Sequence, residues 1–200
     1  MNGWRLTGLL SLLLATMSAC SLAIHAGDVE GLRLVIRATA RTSLVLFALA
    51  FSAGALVELA PGRFTYWQRR NRRYVGVSFA VSHAIHLAAL VALAQVDAAL
   101  FWALTNVANI VLAGAAYVLL AAMTATSFDR TAAWLGHRRW RLLHLVGGWY
   151  IWLSFAVAVG KRLPQGPVYW AMMGLVLAVA VVRLVAMARR GRPKAMLGLS

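Results

Sequence analysis

Four ionisable side chains fall inside apolar runs of this 200-residue sequence: His83 and His86, three residues apart, His144, and Glu58. An ionisable group in the hydrocarbon of a bilayer is costly, so its presence marks function by default. Neutral imidazole ligates haem iron, zinc or copper. A zinc site needs further His, Cys or acidic ligands at the same depth, and the sequence offers none there. Haem iron needs one or two imidazoles and an apolar seat for the porphyrin. His83 and His86 share one broad helix face. Each histidine also has a plainer reading, as a buried ring that hydrogen-bonds a neighbouring helix. Glu58 suits a quinone or proton site, or simple solvation.

The elements that must position these groups follow from composition. The chain is 62% hydrophobic and 12% charged, with 20 Lys and Arg against 5 Asp and Glu, a formal net charge of +15. A soluble domain averages about 45–50% apolar and about 25% charged, which excludes a soluble globular enzyme. A disordered basic tail needs low hydrophobicity, and a nucleic-acid binder does not carry this apolar content. One cysteine, Cys20, builds no disulfide framework within the chain. The five acids, Asp28, Glu30, Glu58, Asp97 and Asp129, are scattered, which disfavours paired-carboxylate hydrolysis. There is no GxGxxG, P-loop or GxSxG motif.

A spanning helix needs about 20 mainly apolar residues. Six stretches qualify, about 6–24, 39–59, 74–94, 100–123, 142–160 and 168–188. The expectation is an all-α, polytopic, six-transmembrane-helix bundle in one domain over residues 1–200. Arginines cluster in the second loop (Arg63, Arg69, Arg70, Arg72, Arg73), the fourth loop (Arg130, Arg138, Arg139, Arg141) and the tail (Arg189, Arg190, Arg192, with Lys194). The positive-inside rule then puts even-numbered loops and both termini in the cytoplasm. Arg33, Arg37 and Arg41 oppose this weakly, offset by Asp28 and Glu30. Arg5, an apolar run and Cys20 also loosely resemble a lipoprotein signal; a plain first span is the preferred reading. Arg183, one turn from the end of the sixth span, is expected to snorkel. Trp67, Tyr74, Trp102, Trp140, Tyr169 and Trp170 fall at span edges, as interfacial anchors do. The basic clusters set topology, and they also suit haem propionates or anionic lipid headgroups. Arg72, Arg73, Arg139 and Arg141 cap the inner ends of the histidine-bearing spans, with Arg37 and Arg41 on the outer side.

Four motifs in order resemble the ferric reductase-like transmembrane domain family. They are Ala40-Arg41-Thr42-Ser43-Leu44, Arg72-Arg73-Tyr74-Val75-Gly76 leading to Ile85-His86, Thr124 to Ser127, and Leu135-Gly136 followed by Arg139-Trp140-Arg141-Leu142-Leu143-His144. The match covers roughly residues 38–165 and is most similar to the MsrQ-type haem-binding membrane subunits, which serve a periplasmic methionine sulfoxide reductase. The resemblance implies a b-type haem, with His86 and His144 at the ligand positions, His83 beside them, and Arg41, Arg73 and Arg139 near the propionates. It implies a bacterial inner-membrane protein carrying electrons from a cytoplasmic or quinol donor to a periplasmic acceptor. The flavin and nicotinamide domain of the larger reductases has no counterpart in these residues. A separate electron donor, with its own flavin or a quinone, is therefore expected.

The family's second histidine of the fifth span is Val157 here. His86 lies 13 residues past Arg73 and His144 lies 3 past Arg141. At 1.5 Å per residue these are about 20 Å and about 5 Å deep, too far apart to share one iron. Two readings stay open. Haem is held by His86 with an unusual partner (His83, His25, Met17 or Met173) or none, or the fold is kept without its haem. The rival of another class is a haem-less membrane subunit or small transporter. No Pro interrupts a span, which disfavours the transporter; Gly147-Gly148 is the one suggestive break, and close helix or porphyrin contact explains it as well.

Overall fold

A computed structural model describes residues 2–191. Its helices are α1 (Trp4–Ile24), α2 (Val29–Leu59), α3 (Arg63–Val96), α4 (Ala98–Leu104), α5 (Val107–Ala125), α6 (Asp129–Leu135), α7 (His137–Gly160) and α8 (Pro167–Gly191), with a 3₁₀ turn at Leu163–Gln165 before α8. The protein is all-α, and six of these helices are long and apolar enough to cross a membrane: α1, α2, α3, α5, α7 and α8.

The helices differ from the expected spans where polar residues favour helix. α2 begins ten residues before the expected Thr39, because Asp28 caps it by accepting from the Gly31 amide at 2.8 Å. α3 begins at Arg63 instead of Tyr74, so the arginine run is helix and not loop. Arginine is a good helix former. The stretch expected as one fourth span is two helices, broken at Thr105–Asn106. There the Asn106 side chain caps α5 by accepting from the Asn109 amide at 2.9 Å. Gly136 joins α6 to α7 at φ +79°, a backbone region that favours glycine. The tail residues Arg192 and Lys194 lie outside the described residues.

In lipid, helices gain little from hydrophobic contrast, so close packing and interhelical hydrogen bonds hold them together. α2 is central and pairs along its length with α3. Thr39, Ser43 and Ser82 are fully buried between them. The Ser43 hydroxyl donates to Ser82 Oγ at 2.9 Å, and Thr42 Oγ1 meets the same oxygen at 3.1 Å. Gln68 of α3 donates through Nε2 to the Leu49 carbonyl (2.8 Å) and Ser52 Oγ (3.1 Å) of α2. α1 is pinned to α3 by the Gly3 amide on Asn71 Oδ1 (3.0 Å) and the Thr7 hydroxyl on the Tyr74 carbonyl (3.2 Å). An aromatic core joins α2, α3 and α7: Phe47 stacks on Phe51 and packs against Phe79 and Phe155. α8 closes on α7 through Trp152 Nε1, which donates to the Val176 carbonyl at 2.9 Å.

Gly147 and Gly148 are buried contacts between side chains and helix. A Cβ at Gly147 would fall 2.5 Å from Met123 Sδ, and one at Gly148 would fall 2.7 Å from Phe51 Cε2. Methionine is flexible and can swing away; the Phe51 ring is locked in the aromatic core. Gly147→Ala is therefore expected to cost under about 1 kcal/mol and Gly148→Ala about 1–3 kcal/mol. Reversible unfolding of both variants in mixed micelles checks the order.

Candidate functional site: a basic cavity at one membrane end

At the end of the bundle that carries the N-terminus of α1 and the C-terminus of α8, a cavity of about 930 Å³ opens between α2, α3, α7 and α8. That falls within the roughly 300–1,000 Å³ typical of small-ligand sites. Six arginines line it: Arg69, Arg72, Arg138, Arg141, Arg183 and Arg190. Among the described residues Glu58 is the one carboxylate in the wall. It pairs with Arg190 at 2.5 Å, which replaces the expected free or solvated acid. The apolar part of the wall includes Leu142, Leu145, Ala186 and Met187.

His144 lines this cavity. Its Nε2 lies 3.3 Å from Thr126 Oγ1, and its ring packs on Trp140 with centroids 4.4 Å apart. The Thr126 hydroxyl donates to the Ala122 carbonyl at 2.8 Å, so its oxygen is left to accept. The proton of His144 then belongs on Nε2, and Nδ1 keeps its lone pair. Trp140, at the edge of its span, donates through Nε1 to the Thr126 carbonyl at 3.0 Å. It fixes the wall behind the imidazole.

Arg183 does not snorkel. Its Nη1 donates to the Phe51 carbonyl at 2.7 Å, and its guanidinium lies 3.9 Å from the centre of the Phe51 ring. Its Nε is buried with no partner among the described residues. α2 continues to Leu59 alongside α8 and offers a carbonyl and a ring face, and guanidinium stacks well on aromatic rings.

His86 sits elsewhere. Its Nδ1 lies 3.1 Å from the Ile36 carbonyl and 3.0 Å from Thr39 Oγ1. The Thr39 hydroxyl is spent on the Val35 carbonyl at 2.6 Å, so both neighbours accept and Nδ1 carries the proton. Nε2 is left with its lone pair and no hydrogen-bond partner among the described residues. His83 stacks on His86 with centroids 5.5 Å apart, and also packs on Phe79, Tyr117 and Phe155. Its Nδ1 is buried and unpartnered. Two rings so placed on one helix cannot flank a porphyrin, whose plane would cut the helix backbone. Aromatic side chains fill the space beside His83.

The expected site residues are therefore divided. Arg72, which shares the cavity with His144, precedes His86 by 14 residues on α3, about 21 Å of helix. The structure does not bring His86 and His144 together. Arg72 and Arg141 line the cavity, as expected of inner-end arginines. Arg73 is bonded to Asp129 instead. Arg139 is exposed outside the lining, and Arg41 is exposed well along α2. Arg37 is paired with Glu30 at 2.6 Å. Sequence reasoning missed the cavity roles of Arg69, Arg138, Arg183 and Arg190. Their signal was the arginine count on three separate segments at one membrane end. Among the described residues no three His, Cys, Asp or Glu side chains gather as a metal site.

These features define a six-span, all-α membrane protein with an arginine-lined cavity whose wall holds two histidines, His137 and His144. Compared with protein-family models, with curated proteins and with solved structures, the chain matches none.

The bond from Arg73 holds the Asp129 carboxyl below the usual carboxylate range. A carboxylate so depressed ties α6 to α3 above its ordinary range and releases it as pH falls through the native value. Protection of the amides over residues 129–135, measured against their intrinsic exchange at each pH, is expected to fall as the Asp129 carboxylate is protonated in acid. In Asp129→Asn that protection is expected to be low at every pH. Equal exchange in the two proteins at neutral pH would show that the tether carries no order.

Proposed function

We propose that the chain is a b-type haem protein of the bacterial inner membrane that moves electrons toward a periplasmic acceptor. The observation that supports this best is His144 in the wall of the arginine cavity. A haem seated there supplies one-electron chemistry. The residues present fit such a group. His144 offers one imidazole nitrogen with a free lone pair. Arg72, Arg141 and Arg183 offer guanidiniums of the kind that pairs with carboxylates, and Leu142, Leu145 and Met187 offer apolar wall. Trp140 and Thr126 hold the imidazole in place. The arginine-rich end faces the cytoplasm by the positive-inside rule, with both termini on that side. The electron donor is then a separate cytoplasmic flavoprotein or a quinol. In this reading His86 and His83 stay outside the haem site, held by Thr39, Ile36 and the aromatic core.

A second reading is favoured by a specific observation. Six arginines exceed what two propionates and Glu58 neutralise. The same cavity suits the phosphates of anionic lipid headgroups in a haem-less subunit.

Absorption spectra separate the two. Protein purified from a haem-replete host is expected to show a Soret band, and on dithionite reduction a sharpened alpha band. His144→Ala is expected to lose both, and His86→Ala to keep them. Loss in His86→Ala alone would move the haem away from the cavity. A colourless, monodisperse wild type would sink the redox reading and leave the lipid one.

A further inference from the structure

Arg41 is exposed on α2 and makes no hydrogen bond or ion pair among the described residues. The arginines before it are spent: Arg33 and Arg37 both pair with Glu30, at 3.0 and 2.6 Å. Arg41 precedes Glu58 by 17 residues on the same helix, about 26 Å. Glu58 belongs to the arginine end, and the hydrocarbon of a bilayer is about 30 Å thick. Arg41 therefore stands near the opposite edge, where a guanidinium reaches the headgroups by snorkelling. Inward from it, between α2, α3 and α8, runs a narrow cleft of about 260 Å³. α2 lines this cleft with Val45, Leu49, Ser52 and Leu56, which follow Arg41 by 4, 8, 11 and 15 residues. One helix face thus carries the cation and then the cleft, and about 6 Å of helix separates Arg41 from Val45. α8 supplies Leu175, Ala178 and Val182. The cleft surface is almost all carbon: the Ser52 hydroxyl is given to the Ala48 carbonyl at 2.7 Å, and the buried Gln68 turns its amide nitrogen onto α2.

We propose that this face binds one anionic phospholipid of the leaflet opposite the arginine cavity, with its phosphate on Arg41 and one acyl chain in the cleft. A partner helix, about 10–12 Å across with its side chains, does not enter so narrow a space, whereas a single hydrocarbon chain does. An apolar recess left empty forfeits dispersion contacts that a chain restores. The unpaired cation then selects the head. A phosphate with no ammonium group of its own presents net negative charge to Arg41, and a choline cancels it. The cleft shares no lining residue with the arginine cavity, and the proposal rests on neither reading of that cavity.

The test is native mass spectrometry of the full chain in detergent, titrated with dioleoyl phosphatidylglycerol or dioleoyl phosphatidylcholine. Any lipid in the arginine cavity is common to all variants, so the differences between variants report this site. Phosphatidylglycerol is expected to bind here about fivefold more tightly than phosphatidylcholine, the worth of one arginine facing an anionic lipid. Arg41→Gln is expected to remove that preference and Arg41→Lys, which keeps the charge, to retain it. Ala178 lines the cleft from its exposed side, so Ala178→Trp is expected to fill it and remove the site for both lipids. The double variant Arg41→Gln with Ala178→Trp is expected to lose no more than Ala178→Trp alone, because head and chain belong to one molecule. An unchanged preference in Arg41→Gln, unchanged binding in Ala178→Trp, or loss of two lipids in the double variant would overturn the proposal. Displacement of phosphatidylglycerol by equimolar oleate would overturn the phospholipid as occupant. If Ala178→Trp fails to fold, the Gln and Lys variants at Arg41 still decide.

Discussion

The seam between α2 and α3 is the constraint on which the other contacts depend. Water is absent from the bilayer core, so each polar group there must find its partner in the protein. Thr39, Thr42, Ser43 and Ser82 do so across the two helices, and the amide nitrogen of Gln68 does so nearer the arginine end. Such bonds average only about 0.6 kcal/mol in membranes. Their larger effect is on register. A slide of α3 by one residue would strand several hydroxyls at once. The seam thus fixes which part of α3 faces α7, and so puts Phe79 and His83 against Phe155 and Arg72 in the cavity with His144.

That register also holds His86 apart from His144, as the depth arithmetic expects. His86 is drawn to α2 by the Ile36 carbonyl and Thr39. Its protonated nitrogen points at acceptors, a posture shared by metal-bound histidines, whose second nitrogen is fixed in the same way. The same posture satisfies a buried imidazole with no ligand at all. What decides between them is space. Around His83 the room is taken by Phe79, Tyr117 and Phe155, and the His83 ring lies against His86, whereas beside His144 a cavity opens.

Much of the architecture is legible in the sequence, because apolar length and arginine punctuation are one-dimensional signals. The six crossings and the arginine-rich end follow from them. The helix extensions at Val29 and Arg63 are less legible, since caps and helix propensity act where hydropathy is silent. The break at Asn106 is visible as a capping residue only once the chain is known to turn there. Depth arithmetic separates His86 from His144 because both sit on simple helices. The inward turn of Arg183 is not legible. It depends on α2 reaching far enough to offer the Phe51 ring and carbonyl, which is a matter of how helices from opposite ends of the sequence align.

The arginine cavity poses the sharper energetic question. Two like charges about 8 Å apart repel by about 2 kcal/mol at an effective dielectric of about 20, and six guanidiniums share this wall with one carboxylate. Arginines that served topology alone would spread outward, as Arg139 does. Instead Arg183 is held inward by a carbonyl and a ring, neither of which neutralises its charge. Arg190 is steered by Glu58. The protein therefore spends packing interactions on keeping cations together. A counter-anion from outside the chain would relieve that repulsion. The anion must be amphiphilic, because the cavity lies where the arginine end meets the apolar wall of α7 and α8. A haem and an anionic phospholipid both meet that description, and His144 discriminates between them. An imidazole with a free lone pair adds nothing to the binding of a phosphate that arginines already grip, but it can bond to iron, as can the His137 ring and the Met187 thioether in the same wall.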